Sequence, residues 1–98
     1  MTGLDRHLQA PARLRLMTLL SAASEVEFAV LRERLEVSDS VLSKHVSALS
    51  DAAYVAVRKD VLDGRRTTWL ALTAKGRKAL EAHVAALRAV IDDVQVGR

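Results

Sequence analysis

Residues 37–51 set small hydroxyls and one cation where close approach to a polar surface would need them. At helical spacing, Ser40, Ser43, Lys44 and Ser47 share one stripe. Leu42, Val46 and Leu49, flanked by Val41, follow i, i+4, i+7 on the opposite stripe and can face a core. A solvated helix face usually carries Glu and Lys pairs, whereas this one carries almost nothing large. Ser38 is a good N-cap, and Asp39 and Ser40 suit the positive end of the helix dipole. A short capped helix of this kind is what the DNA major groove admits, because base edges bond to small polar groups. An amphipathic core helix with a serine-rich outer face fits the same residues, and the stretch alone does not separate the two.

Charge supplies a second signal. The net charge is +3, but it is unevenly spread. From Arg58 to Lys78, seven basic residues (Arg58, Lys59, Arg65, Arg66, Lys75, Arg77, Lys78) stand against two acidic ones (Asp60, Asp63), a balance of +5. The remainder is net negative, so cationic character is concentrated in one segment, as polyanion binding requires.

The elements that must position these groups follow from period and punctuation. Ninety-eight residues predict one domain, 1–98, with an aliphatic core, since Phe, Trp and Tyr occur once each. Residues 1–10 read as a lead-in helix or arm. Pro11 opens a helix to about Ala22, with Leu16, Leu19 and Leu20 inward and Arg13 and Arg15 outward. Glu27–Leu35 forms a second helix with Phe28, Leu31 and Leu35 on one face, linked through Glu36-Val37 to the Ser38 cap. Two short helices so joined are a helix-turn-helix. The period then changes to that of strands over 54–59 and 66–72, around the Asp63-Gly64 hairpin signal. A two-stranded ribbon of about 54–72 results, basic at its tip, with Tyr54, Leu70 and Leu72 packing it onto the helices.

Thr73 caps a last helix of about 73–94, in which Gly76 marks a close approach to the hairpin. Leu80, Val84, Leu87, Ile91 and Val94 are spaced 4, 3, 4, 3 along it, a seam across two heptads. The seam meets either a partner helix or the first helix of its own chain. Two heptads exceed what a helix of residues 12–22 covers, which favours a homodimer. The fold class is mainly α with a small β-hairpin: a winged helix-turn-helix with a long C-terminal dimerisation helix.

In their order and spacing, four motifs resemble the small MarR/ArsR-type bacterial and archaeal transcriptional regulators. They are Ser40-Val41-Leu42-Ser43-Lys44-His45-Val46-Ser47-Ala48-Leu49, then Ala53-Tyr54-Val55, Asp63-Gly64-Arg65-Arg66-Thr67-Thr68-Trp69 and Leu72-Thr73-Ala74-Lys75-Gly76-Arg77. The resemblance spans about residues 10–92. It implies a homodimer with two recognition helices in successive major grooves and wing tips in flanking minor grooves. Ser40, Ser43, Lys44 and Ser47 would then face bases and phosphates, with Ser38 at the helix start. Arg65 and Arg66, followed by Thr67, would enter or flank the minor groove; Arg58 and Lys59 would touch phosphates or remain solvated. Ala53 stands where the family commonly has Gly, so a left-handed turn there is less comfortable.

Other classes fit less well. His7, His45 and His83 lack ligand spacing, no cysteine is present, and neither a metal nor a cofactor is expected. No nucleophile–base constellation or phosphate-cradling glycine loop stands out, so no enzyme is expected. A winged-helix protein–protein interaction module without DNA binding is the competitor, but the serine face lacks the aromatic and Met anchors of such interfaces. A small-molecule effector, of unidentified kind, would lie near Leu16, Leu20, Leu80 and Val84, positions that core packing explains first. Double-stranded DNA and a second copy of the chain are the expected partners. With no apolar run of membrane length and no signal peptide at the N-terminus, the expected location is cytoplasmic.

Overall fold

Helix starts and stops fall where capping chemistry puts them. In the computed structural model, which describes residues 4–96 and side chains as far as Val94, Pro11 occupies the first turn of α1 (Pro11–Ser21) after an extended Ala10. A short 3-10 turn at Arg6–Leu8 precedes it. After β1 (Val26–Glu27) comes α2 (Phe28–Leu35), which stops at a left-handed Glu36 (φ 55°). There the Val37 amide donates to the Arg32 carbonyl at 3.3 Å and that of Glu36 to Glu33 at 3.2 Å, the paired bonds of a Schellman ending. Ser38 then caps α3 (Asp39–Asp51), its hydroxyl accepting from the Val41 amide at 3.2 Å.

The end of α3 repeats the Schellman pattern, with Ala53 at φ 64° in the left-handed position. Its amide donates to Ser50 at 2.9 Å and the Tyr54 amide to Leu49 at 2.8 Å. The turn therefore keeps the shape glycine would favour. Two recovered hydrogen bonds hold alanine there against a left-handed cost of about 1–2 kcal/mol.

The sheet has three strands where the sequence predicts two, in the order β1-β3-β2 and antiparallel throughout. β2 (Val55–Leu62) and β3 (Arg65–Leu72) pair along their full lengths, from Val55 opposite Leu72 to Leu62 opposite Arg65. Asp63 (φ 52°) and Gly64 (φ 74°) close the two-residue hairpin, with the positive φ values that match strand twist. The third strand comes from Val26 and Glu27, opposite Leu70 and Trp69, so Glu27 belongs to the sheet and α2 begins one residue later than expected. Two residues are too few to show an alternating pattern. Pairing them covers part of an otherwise open β3 edge.

Leu16, Met17 and Leu20 of α1, Leu31 and Leu35 of α2, and Leu42, Val46 and Leu49 of α3 meet in one core, which Leu8 and Leu70 also enter. Leu19, expected inward, is only half-buried; Met17 takes the inner position. Helix α4 (Ala74–Val96) divides its seam between two environments. Leu80 is core, and Val84, half-buried, packs against it. Leu87 is half-buried, and Ile91 and Val94 are 55% and 68% exposed. The expected dimer seam is thus an own-core anchor at its start and an open face only toward its end. Leu16 and Leu20 beside it are fully buried core.

One backbone crossing locks α4 to the sheet. Thr73 caps the helix by accepting from the Gly76 amide at 2.9 Å, and its hydroxyl donates to the Ala53 carbonyl at 2.7 Å. A Cβ on Gly76 would lie 2.0 Å from the Tyr54 carbonyl oxygen. The Tyr54 hydroxyl donates to the Asp5 carboxylate, and the Asp5 amide donates to His83 Nδ1 at 2.9 Å. The Asp5 hydrogen bond, then burial, then the carboxylate charge push the Tyr54 phenol up to about 12. Denaturant unfolding followed by circular dichroism should show Gly76→Ala less stable by about 2–3 kcal/mol, through overpacking against backbone. Ala53→Gly should be more stable by about 1 kcal/mol, the left-handed penalty less the added glycine entropy; a loss of stability would contradict the strain assigned there.

Candidate nucleic-acid interface

Burial sorts α3 into two faces. Leu42, Val46 and Leu49 are buried, while Ser40, Ser43, Lys44 and Ser47 are exposed along the opposite stripe. The Ser38 hydroxyl is engaged by the cap and lies 3.3 Å from that of Ser40, so Ser38 acts on the helix more than on its surroundings. Val41, assigned by spacing to the core flank, is 41% exposed and adds an apolar contact beside the hydroxyls. Arg32 of α2 meets Asp39 in the first turn of α3 at 2.7 Å, an exposed pair of little weight for stability.

The pleat of the wing sorts its basic residues the same way. Lys59 lies opposite Thr68, and Val61 opposite Arg66. Together these four line a concavity of about 350 Å³ on one face. Lys59 and Thr68 also line a shallow groove shared with Ser43, Ser47 and Phe28. The hydroxyl stripe of α3 and the Lys59/Arg66 face of the wing therefore form one continuous surface. Arg65, at the hairpin end, projects from the other pleat.

Two expected site residues are held elsewhere. Arg58 donates from Nε and one terminal nitrogen to Glu25 at 2.9 and 2.8 Å and from the other to Asp60 at 2.8 Å, and it lies 5.6 Å from the Trp69 ring centre. Those hydrogen bonds draw the Glu25 and Asp60 carboxyls below their usual range and raise the guanidinium further. Arg58 thus clamps the sheet to the segment before β1 and is not a free phosphate contact. Thr67 is buried on the same pleat. Its hydroxyl donates to the Asp60 carbonyl at 3.4 Å and accepts from the Trp69 indole at 3.1 Å, so that group is engaged within the wing. The Arg58–Asp60 spacing of two, on one strand face, was a readable signal; Glu25 was not.

Behind α3, Arg13 of α1 donates from Nε to His45 Nδ1 at 3.1 Å. This contact runs between the two helices and went unseen in the sequence because the partners are thirty-two residues apart.

A family model for the winged helix DNA-binding domain matches residues 12–91. The chain belongs to that family. In this winged helix domain α2 and α3 are the helix-turn-helix and β2–β3 is the wing. An uncharacterized protein of Methanocaldococcus jannaschii is 32% identical over 72 residues, covering 74% of this chain and 78% of that protein. A transcriptional regulator homologue from Pyrococcus horikoshii is 26% identical, with a TM-score of 0.86 over 92% of this chain and 89% of that one. A zinc-responsive MarR family member from Lactococcus lactis, 20% identical, has a TM-score of 0.63 over 87% of this chain and 58% of that one. The winged helix domain thus has the fold of the small MarR-type regulators that its motifs resemble.

Burial first, and then the Arg13 charge, lower the pKa of His45 in the winged helix domain below its ordinary value. The folded state therefore favours the neutral ring. That contribution is complete above the unfolded value of about 6.5 and is lost as pH falls through the depressed folded value. In an NMR titration the His45 ring should have its midpoint below about 6.5, and His45→Gln should lose less stability than wild type on acidification. Equal acid sensitivity of the two would place the titrating group elsewhere.

Proposed function

We propose that the chain is a sequence-specific regulator that binds double-stranded DNA as a homodimer. The observation that carries this reading is the single exposed surface joining the α3 hydroxyl stripe to the Lys59/Arg66 face of the wing. Ser40, Ser43, Lys44 and Ser47 lie in the major groove, where small hydroxyls and a cation suit base edges and phosphates, and Val41 suits a thymine methyl. Lys59 and Arg66 contact flanking phosphates, and Arg65 enters the minor groove beside the wing tip. The open end of the α4 seam, Leu87 with Ile91 and Val94, receives the second copy. Two recognition helices then address two half-sites.

A DNA partner fits a cytoplasmic location; among the described residues no helix is long and apolar enough to cross a membrane. The α3 surface supports DNA over a protein partner because it carries hydroxyls and one cation in place of aromatic anchors.

Fluorescence anisotropy over a salt series tests the reading, using duplex DNA from upstream of the protein's own gene and a random duplex as control. The upstream duplex should bind more tightly, with a log–log salt slope of about −0.9 per neutralised phosphate. Arg65→Ala combined with Arg66→Ala should weaken both duplexes and flatten the slope by about one unit or more. Unchanged affinity in that variant would remove the wing from the interface. No salt-dependent binding by wild type would favour the protein-interaction module.

A further inference from the structure

Most exposed aliphatic side chains in the domain adjoin surfaces already described. Ile91 and Val94 belong to the open end of α4, Val41 to α3, and Val57 to the groove between α3 and the wing. Val61 and Leu62, 62% and 53% exposed, belong to the wing tip instead. They do not sit in a loose loop, because the β2–β3 ladder continues to the last pair and the turn has two residues. Beyond Val55 every residue of β2 is exposed, so the hairpin stands clear of the body.

Being adjacent on a strand, Val61 and Leu62 point to opposite faces. Each has an arginine directly across the ladder: Arg66 opposite Val61, and Arg65 opposite Leu62. Val61 shares the Lys59/Thr68 concavity facing α3. Leu62 is left with Arg65 as the final pair before Asp63-Gly64, the leading pair if the hairpin enters a groove tip first.

The charge around it selects the occupant. Arg65 shares the face of Leu62, and Arg66 and Lys59 add positive charge from the opposite face of the same hairpin; of the two nearby acids, Asp60 is bound by Arg58 and Asp63 sits in the turn itself. An apolar side chain in a cationic rim suits a surface whose edges are phosphate and whose interior is stacked base, which describes the minor groove. From this geometry we infer that Leu62 is an apolar wedge. With Arg65 entering the minor groove, Leu62 presses against a base step, partly unstacks it and bends the duplex toward the major groove. Flexible pyrimidine–purine steps yield most readily, so the wedge selects TA or CA/TG at the wing position without a hydrogen bond to a base. This inference rests on the DNA-binding reading and adds to it a deformation of the DNA.

The test uses the full chain and upstream duplexes carrying 2-aminopurine at successive positions, with dyes at the two ends. Wild-type protein should raise 2-aminopurine fluorescence about twofold or more at one position in each wing-contacted segment and shorten the end-to-end distance, as a kink requires. Leu62→Ser, exposed and so expected to fold as wild type by circular dichroism, should return both signals toward the free duplex. Its salt slope should not change, and its affinity should fall about three- to tenfold as buried apolar area is lost. Leu62→Met should keep the unstacking. Salt-dependent binding without unstacking, or unstacking unchanged in Leu62→Ser, would overturn the wedge and leave the DNA-binding reading intact. Failure of wild type to bind duplex at all would overturn both.

Discussion

The close crossing of backbone at Tyr54 and Gly76 is the contact on which the rest of the architecture depends. Tyr54 is where the chain leaves the helices for the sheet, and four separate parts of the molecule meet at it. The left-handed Ala53 delivers it, its carbonyl lies where a Gly76 side chain would be, and its hydroxyl takes the Asp5 carboxylate. The Thr73 amide donates to that same carbonyl at 3.0 Å. The direction of the wing relative to α3 and the direction of α4 relative to the body are therefore set at one point. An alanine at position 76 would disturb both, although it touches neither the hydroxyl stripe of α3 nor the open end of α4.

Much of this was legible in the sequence. Period and caps placed α1, α2, α3 and α4 to within a few residues, since Pro11, Ser38 and Thr73 each do what their chemistry requires. Asp63-Gly64 placed the hairpin, and Gly76 marked the close approach. What sequence could not show depends on tertiary pairing. Val26 and Glu27 become a strand only because β3 presents an edge to them. Ala53 accepts a left-handed conformation because two hydrogen bonds hold it. Leu80 continues the seam of Leu87, yet it belongs to the core with Val84 packed against it, since a heptad spacing is the same whichever surface covers it.

The wing illustrates why composition marks a surface without assigning its residues. Local charge drew attention to the whole segment from Arg58 onward, but alternation across the strands divides it. Lys59 and Arg66 share a side with α3, while Arg58 joins Glu25, Asp60 and Trp69 on the other and is consumed there. Such a clamp has little energetic weight at an exposed site. What it shows is a connection between the middle of β2 and the segment before β1.

The divided environment of α4 bears on how two copies would come together. Leu80 lies in the chain's own core and His83 is buried beside it, while Ile91 and Val94 farther along the helix stay exposed. If two copies pair through that exposed end, the contact is added to a helix already anchored in its own chain. Pairing becomes a matter of mass action between finished bodies. Were such a pair needed to fill a two-fold site, occupancy at low abundance would rise with the square of the protein level, and the end of α4 would set a threshold in dose.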